Sequence, residues 1–422
     1  MNYKLSISGF ILLLIVFSGS LTSVNGVTLL LTLIAFFCVL FVSQINVQKV
    51  QLNFKVLILL NSLIVISDFF SSYQTSFAAK ALTLLYLNLP FIFYIIFDNL
   101  LSQNLKKIIA NLHLCTKFML SLALLSIGYG YIFGFNYADV TSIFSVLRYV
   151  SVGFENQVVF ILTLVVSHII ASFLYCHKPT SAKLILLSFM TIFVFMTFSR
   201  FAILMVLINI YFIITITFSR MKRIFIQFAF LLSIPALFLG LGLFERFLDL
   251  GAYFTEQAQT DVARTLFFVN SLNLALSNFP FGSGLGSFGG VAAKVFYSPV
   301  YYEMGFNNIY GLEPDAHLLG RDYRVDTLMP HYLGELGFFV SAIYLLVFFL
   351  PFYRIFKLSK KNGMKDIQYF VSSLAIFTVG SMLSTPYIIN PVGICITMWL
   401  LVCFKKLLLG SKQISTQSIN DH

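Results

Sequence analysis

The sequence predicts an all-α polytopic integral membrane protein, and two features support this prediction. Hydrophobic residues make up 59% of the 422 residues and charged residues only 10%, which leaves too little polar surface to cover a water-soluble globule. The apolar residues also occur in long runs, and a membrane-spanning helix needs about 20 of them. On this basis the chain holds about twelve spans. Their centres lie near Leu14, Ala35, Leu63, Leu89, Leu125, Thr163, Thr191, Ile208, Ser233, Ile343, Ile376 and Thr397.

The distribution of lysine and arginine predicts which side of the membrane each connecting segment faces. If the N-terminus is cytoplasmic, most of the 27 basic residues lie in inner segments. The outer side then keeps only Lys80, Arg148, Arg200, Arg246, Arg264, Lys294, Arg321 and Arg324. The positive-inside rule therefore predicts that both termini are cytoplasmic. Topology and contact with anionic membrane lipids account for the net charge of +11, so no nucleic-acid partner is predicted.

The stretch from Lys183 to Arg220 is too long to be a single span. As one helix at 1.5 Å per residue it would extend roughly 55 Å, against about 30 Å for the hydrocarbon core of a bilayer. Both flanking basic segments belong on the inner side, so the chain must cross twice and turn tightly at Ser199 and Arg200. Arg200 is therefore predicted near the outer membrane surface.

One segment outside the membrane is long enough to have its own structure. We divide the chain into residues 1–244 with spans one to nine, a large outer loop at 245–330, residues 331–410 with spans ten to twelve, and a cytoplasmic tail at 411–422. The loop holds most of the 16 acidic residues, so any chemistry is expected there. The cysteines lie in or beside spans and predict neither a disulfide in the loop nor a metal site. They are Cys38, Cys115, Cys176, Cys395 and Cys403.

The loop contains a glycine-rich stretch, "NFPFGSGLGSFGG" at 278–290, in which Gly284, Gly286 and Gly289 have the spacing G-x-G-x-x-G. That spacing indicates a dinucleotide site only after a strand and inside a βαβ unit. Here it follows "RTLFFVNSLNLALSN", which predicts a helix in the membrane interface, so no nucleotide site is expected. Two interpretations remain: a flexible turn, or a backbone at Gly284 and Gly286 that approaches a bound phosphate or glycan closely.

Three segments provide landmarks along the chain: "FSRFAIL" at 198–204, "ARTLFFVNSLNLALSNFPFGSGLGSF" at 263–288 and "DTLMPHYLGELGFFVSAIYLL" at 326–346. In order and topology they resemble the bacterial O-antigen polymerase and O-antigen ligase superfamily. That family has a Ser-Arg pair opening a span, then an arginine and a glycine-rich segment in a large periplasmic loop. A polar pair before an E-L-G then enters the next span. The resemblance covers residues 183–350 by motif and the whole chain by hydropathy.

The resemblance implies glycosyl transfer at the periplasmic face of the bacterial inner membrane, from a glycan linked to undecaprenyl diphosphate, without metal or other cofactor. It assigns Arg200 and Arg264 to the diphosphate, since a guanidinium makes bidentate, charge-assisted hydrogen bonds to phosphate. Arg321 and Arg324 would supply further phosphate or sugar contacts, or form a salt-bridged loop with Asp322. The alternatives are that Arg200 is a snorkelling interfacial residue and Arg264 a solvated loop charge.

Attack by a sugar hydroxyl on an anomeric carbon needs a base. In the ligase branch a histidine stands eleven residues before the glycine of E-L-G, and here that position is Asp326. This difference favours the polymerase branch and makes Asp326 the first candidate for the base and His331 the second. Asp326 as a helix cap and His331 as an interfacial histidine are the alternatives. Glu335 would lie inside the span, where a carboxylate is costly unless paired, and it is a candidate partner for an active-site arginine.

The aromatic residues of the loop fit two interpretations. They suit a groove that stacks sugar rings, and they equally suit the core of an ordered loop. They are Phe296, Tyr297, Tyr301, Tyr302, Phe306, Tyr310 and Tyr323.

Three functions remain open. A polymerase would move a growing glycan from its lipid diphosphate onto a new lipid-linked repeat unit, with a chain-length regulator as a further candidate partner. A ligase would move the finished chain onto lipid A core, and Asp326 argues against it. A non-enzymatic transporter of lipid-linked glycans would be expected to show an internal repeat and polar residues at mid-membrane, and neither is evident in the sequence.

The topology leads to a labelling prediction. If Ser199 and Arg200 form an outer hairpin, Ser199→Cys should react with a membrane-impermeant thiol reagent added from outside, and Lys222→Cys should not. Labelling of Lys222→Cys alone would invert the whole topology.

Overall fold

The computed structural model describes residues 47–101, 104–133, 157–197, 199–219, 222, 224, 227, 263–309, 311–316, 324, 328–384 and 390–420. Over these residues the chain is helical and contains no strand. The helices are α1 (Val47–Phe69), α2 (Phe77–Leu100), α3 (Leu105–Phe133), α4 (Gln157–His177), α5 (Ser181–Met196), α6 (Arg200–Thr217), α7 (Ala263–Ser277), α8 (Val291–Val295), α9 (Pro299–Glu303), α10 (Leu328–Lys361), α11 (Lys365–Ser384) and α12 (Pro391–Asn420), with a 3-10 turn at Phe306–Asn308.

Six of the described helices are long and apolar enough to cross a membrane: α2, α3, α4, α10, α11 and α12. Helices α5, α6 and α7 are apolar but shorter. The predicted all-helical class is therefore confirmed over the described residues, and the helices are consistent with a polytopic membrane protein. The predicted span centres Leu14, Ala35 and Ser233 lie outside the described residues, and each of the other centres lies within a helix.

The helical structure is interrupted between α5 and α6, where the sequence predicts a tight turn. Thr197 ends α5, and its hydroxyl donates to the carbonyl of Val194 (2.7 Å). Ser199 then caps α6, with its Oγ accepting from the backbone N–H of Ala202 at 3.4 Å. The serine is a preferred N-cap residue because its side chain satisfies one of the unpaired N–H groups of the first turn. Arg200 is thus the first residue of a new helix.

Helices α2, α6, α10, α11 and α12 run between the same two ends of the bundle. Helices α10 and α11 pack against each other and are joined by the turn at 362–364, so α11 ends where α10 begins. Phe201, at the start of α6, packs on Gly380 near the end of α11. Thr83 of α2, His331 of α10 and Ile394 of α12 line one pocket. We call this the loop end, because the glycine-rich stretch also lies here, and the opposite one the lysine end.

Charge is distributed unequally between these ends. At the lysine end, Nζ of Lys405 and Nζ of Lys406 lie 2.7 and 3.1 Å from the carboxylate of Asp98. His177 Nδ1 lies 3.0 Å from Asp366 at the same end. Further lysines there are Lys357, Lys360, Lys361 and Lys365, whereas Lys80, Lys294 and Arg324 lie at the loop end. The positive-inside rule describes this separation of charge.

Helix α10 contains a break that shapes the loop end. At 34 residues it would be about 51 Å long as a straight helix. At Gly337 the backbone has φ 68° and ψ −179°, a conformation essentially restricted to glycine. The break leaves carbonyls of the preceding turn without helical donors. Gly334 O and Glu335 O accept instead from the backbone N–H groups of Ser283 (2.8 Å) and Gly284 (3.0 Å).

This geometry makes Gly337 sensitive to substitution. A side-chain carbon at Gly337 would lie 2.5 Å from Gly282 N, and the backbone strain alone costs about 1–3 kcal/mol. Gly337→Ala should therefore lower the midpoint of thermal unfolding, measured on purified protein in detergent. Gly363→Ala is the matched control, because Gly363 also has φ 68° but nothing lies within 4 Å of the added carbon. We expect a loss several degrees larger for Gly337→Ala, and equal losses would contradict the role given to the contact with Gly282.

Candidate functional site

The glycine-rich stretch at 278–290, called the glycine loop below, follows α7, a helix that the sequence predicts. Two hydroxyls donate to its carbonyls: Ser67 Oγ of α1 to Phe281 O (2.8 Å) and Thr75 Oγ1 of the α1–α2 connection to Leu285 O (2.6 Å). From the other side, Ser283 Oγ donates to Gly334 O of α10 (2.9 Å). From Gly282 to Gly290 the loop is therefore a buried, hydrogen-bonded layer between α1, α2 and α10.

Two carboxylates accept the backbone N–H groups of the glycine loop. Glu335, which is 0% exposed, accepts from Gly286 N at 2.9 Å and from Phe288 N at 3.1 Å. Asp68 accepts from Leu285 N at 2.9 Å, and its second oxygen lies 2.7 Å from Lys80 Nζ. Consecutive N–H groups of this kind form a concave anion site. In this protein the anions that occupy it are its own side chains.

The glycines of the loop allow close approach to neighbouring helices. A side-chain carbon at Gly284 would lie 2.5 Å from Ser71 Oγ, and one at Gly286 would lie 2.9 Å from Ala79 Cβ. Both residues also have positive φ, 98° and 74°, which favours glycine. The sequence suggested that Gly284 and Gly286 approach a bound phosphate or glycan. In the structure they approach α2 and the residues just after α1 instead.

His331 is held in one orientation by the same loop. Its Nδ1 lies 3.2 Å from Phe288 O and 3.5 Å from Glu335 Oε1, and the residue is only 5% exposed. A carbonyl oxygen only accepts, so Nδ1 carries the hydrogen and Nε2 of the neutral ring keeps its lone pair. Glu335, beside the ring, stabilises the imidazolium that forms when Nε2 takes a proton. This is the arrangement of a general base and the group that orients it.

His331 lines a pocket at the loop end, called the His331 pocket below. Its empty space amounts to about 400 Å³, part of it open to the surroundings, and only a small part of that space admits a water-sized group. The walls come from α2, α10, α12 and the end of the glycine loop. They are Thr83, Tyr86, Leu87, Gly289, Gly290, Val291, Ala292, Leu328, His331, Tyr332 and Ile394.

Arg324 occupies a different position from the one its proposed role requires. It is 1% exposed, and its Nη1 donates to Pro314 O at 3.3 Å and Lys294 O at 3.5 Å. Its guanidinium carbon lies 5.6 Å from the centre of the Tyr297 ring. Burial raises the pKa of Tyr297 to about 12, and the charge of Arg324 opposes the shift. Arg324 therefore joins segments of the outer loop, and it has almost no surface to offer a phosphate or a sugar.

The aromatic residues of the loop divide between the two interpretations. Tyr301 and Phe306 are 0% and 1% exposed and pack with Phe267 and Phe288, so they form the core of an ordered loop. The Tyr301 hydroxyl also accepts from Gly289 N at 2.9 Å. Phe296 and Tyr302 are about half exposed and Tyr297 is partly exposed, which leaves these three of the described set for surface contacts. Tyr310 and Tyr323 lie outside the described residues.

For some of the remaining predicted site residues the structure describes the backbone position only, and the others lie outside the described part. Arg200 opens α6 at the loop end, and Arg264 lies in the first turn of α7. Arg321 and Asp326 fall outside the described residues. No described arginine contacts Glu335, whose described partners are the loop N–H groups and His331. Among the described residues, backbone donors and His331 are the partners of Glu335, and the side chains of Arg200, Arg264 and Arg321 lie outside what the structure describes.

The structure also reveals a polar group within the bundle that the sequence reading missed. His168 of α4, 0% exposed, places Nδ1 3.2 Å from Asn209 Nδ2 and Nε2 3.1 Å from Thr191 Oγ1. Ser373 Oγ donates to Asn209 Oδ1. The expectation that mid-bundle polar residues are lacking was therefore wrong. The four residues lie far apart in sequence, and only their shared helix faces, buried against one another, would have revealed the network.

The comparisons with known proteins give no family assignment. No family model matches the chain, and no curated protein matches it. Among the described residues there is also no group of three or more His, Cys, Asp or Glu side chains that could hold a metal ion. The resemblance to glycan polymerases and ligases therefore depends on the three sequence motifs and on where the described helices place them.

The carboxylate of Glu335 leads to a stability prediction. Glu335→Gln keeps the size but turns one acceptor into an amide donor that faces backbone N–H groups, and an unsatisfied buried partner costs about 1–3 kcal/mol. We expect a lower unfolding midpoint in detergent and faster proteolysis within 278–290. Glu303→Gln is the control, because Glu303 of α9 is exposed and its one described bond, from the Tyr73 hydroxyl at 2.7 Å, can be kept by the amide oxygen; it should change the unfolding free energy by less than about 0.5 kcal/mol. An unchanged midpoint for Glu335→Gln would show that the carboxylate does not fix the loop.

Proposed function

We propose that this protein is an O-antigen polymerase. It transfers a growing glycan from undecaprenyl diphosphate onto a new lipid-linked repeat unit at the periplasmic face of the bacterial inner membrane, without a metal. The proposal includes twelve spans, a large periplasmic loop between spans nine and ten, and cytoplasmic termini. The partners are the lipid-linked donor and acceptor, membrane lipids and a chain-length regulator.

The observation that supports the proposal is the meeting of two distant motifs around one histidine. The glycine loop and the segment "PHYLGELG" at 330–337 are far apart in the sequence but interlock through Glu335 and Gly337. Between them they hold His331 at the wall of a pocket. The Ser-Arg motif opens α6 at the same end of the bundle. Three segments that carry the family resemblance therefore converge on one end, which suits a single active site.

The chemistry required is a displacement at an anomeric carbon. A hydroxyl of the acceptor sugar attacks that carbon, the bond from the carbon to the diphosphate oxygen breaks, and undecaprenyl diphosphate leaves with the bonding electrons. His331 Nε2 takes the proton of the attacking hydroxyl, while Phe288 O and Glu335 hold Nδ1–H and stabilise the imidazolium. By the family resemblance, Arg200 and Arg264 would stabilise the departing diphosphate, and Arg321 would add a phosphate or sugar contact.

Asp326 remains the competing base. It lies two residues before Leu328, which lines the His331 pocket, so the two candidates belong to the same short segment. His331 has the geometric support, because its orientation is held by described contacts. Asp326 has the support of the motif alignment.

Conservative substitutions separate the two candidates. His331→Asn keeps a donor near the position of Nδ1 but lacks Nε2, and Asp326→Asn keeps the size but cannot take a proton. Each would be expressed in cells that lack the native protein, and lipopolysaccharide would be analysed on gels. If His331 is the base, His331→Asn should reduce turnover by roughly 10² to 10⁴ and leave a core that carries one repeat unit. Asp326→Asn should keep normal ladders.

Each other outcome of this experiment has a definite meaning. The reverse pattern assigns the base to Asp326, and normal ladders in both variants would contradict general-base catalysis by this segment. Bare core together with polymer that accumulates on the lipid carrier would identify a ligase and refute the polymerase. The amount of each variant in the membrane, measured by immunoblot, shows whether a loss of product reflects a loss of protein.

A further inference from the structure

Thr83 of α2 and Thr397 of α12 are buried helical threonines whose hydroxyls have no hydrogen-bond partner among the described residues, and only Thr83 lines the His331 pocket. A buried threonine in a helix usually satisfies its hydroxyl by donating to the carbonyl four residues earlier. Such bonds, of 2.7 to 2.9 Å, are made by Thr116, Thr163, Thr191, Thr215 and Thr378. Thr83 is 2% exposed, and its Oγ1 has no hydrogen-bond partner among the described residues. Its hydroxyl is therefore buried and unused within the described part of the protein.

The position of this hydroxyl suggests which group forms its missing hydrogen bond. Native proteins satisfy nearly all buried polar groups, and an exception calls for a ligand or an ordered water. Thr83 lines the His331 pocket, together with His331 from the opposite helix. Most of the other side chains in the wall are aliphatic, such as Leu87, Leu328 and Ile394. The polar side chains in the wall are those of Thr83, His331, Tyr86 and Tyr332, and of these only the Thr83 hydroxyl is buried without a described hydrogen-bond partner.

The size of the pocket restricts what can bind there. Only a small part of its space admits a water-sized group, which is enough for a single hydroxyl. A side-chain carbon at Gly290 would lie 2.4 Å from the His331 ring, so the backbone fits closely against the imidazole and leaves no room for a larger group on that side. A sugar can place one hydroxyl here while its ring stays outside that small part.

We propose that Thr83 binds the attacking hydroxyl of the acceptor sugar. The inference rests on the proposed polymerase function and adds a residue to it. Thr83 Oγ1–H donates to the oxygen of that hydroxyl, whose own hydrogen then points to His331 Nε2. A hydroxyl has one hydrogen to donate and two lone pairs that accept, so it satisfies Thr83 and His331 together. Thr83 selects the hydroxyl orientation from which His331 removes the proton.

A substitution that removes only the hydroxyl tests this role. Thr83→Val keeps the shape, and because Oγ1 has no described protein partner, the unfolding midpoint should not fall. The loss of one neutral hydrogen bond to substrate should reduce kcat/KM for the acceptor about five- to tenfold. Thr83→Ser should restore most of the activity. The assay follows chain elongation in membranes that contain the full-length protein, with lipid-linked repeat units extracted from cells that lack it.

Thr163→Val is the matched control, because Thr163 is also buried (3% exposed) but donates to Val159 O at 2.7 Å. It should leave kcat/KM unchanged. If the wild-type protein elongates glycans and Thr83→Val matches it, the inference is overturned and the polymerase stands. If Thr83→Val lowers the unfolding midpoint, the hydroxyl has a structural role through bound water, which also overturns the inference. If the wild-type protein does not elongate glycans at all, the proposed function fails and the inference fails with it.

Discussion

The loop end depends on one buried negative charge. A carboxylate removed from water is very costly unless hydrogen bonds compensate for it. Glu335 obtains this compensation from Gly286 N and Phe288 N. For those two N–H groups to face one carboxylate, the chain between them must turn with positive φ, and the loop must lie directly against α10. Gly337 makes that approach possible by breaking the helix at the contact. The orientation of His331 then follows from the loop carbonyl at Phe288.

The glycine spacing illustrates what a short motif encodes. In dinucleotide-binding proteins such glycines let backbone N–H groups surround a pyrophosphate. Here too the backbone N–H groups of a glycine-rich loop bind anions, but the anions are the side chains of Glu335 and Asp68. The pattern of glycines thus specifies a backbone that binds an anion, but it does not specify which anion is bound. Only a long-range contact decides which anion fills it, and that contact comes from helices distant in the sequence.

Features that depend on local chemistry could be predicted, and those that depend on distant partners could not. The break at Ser199 follows from hydropathy, span length and a capping residue, and the helix at 263–277 follows from an apolar run. The burial of Arg324 and the backbone partners of Glu335 depend on elements that meet only in the folded chain. The lone acid in "LIVISDFF" at 63–70 offered a signal for Asp68, because a carboxylate within an apolar run needs a partner. Its partners, Leu285 N and Lys80, could not be read from that run.

The break at Gly337 also divides α10 mechanically. The segment before it, which carries His331 and Glu335, is joined by hydrogen bonds to the glycine loop. The segment after it packs along α11. A tilt of the long segment, such as a change in bilayer thickness imposes, can be absorbed by rotation about Gly337. His331 and the wall of its pocket then keep their relative positions while the rest of the helix adjusts to the lipid. Gly337 thus separates the segment that is bonded to the glycine loop from the segment that follows changes in the bilayer.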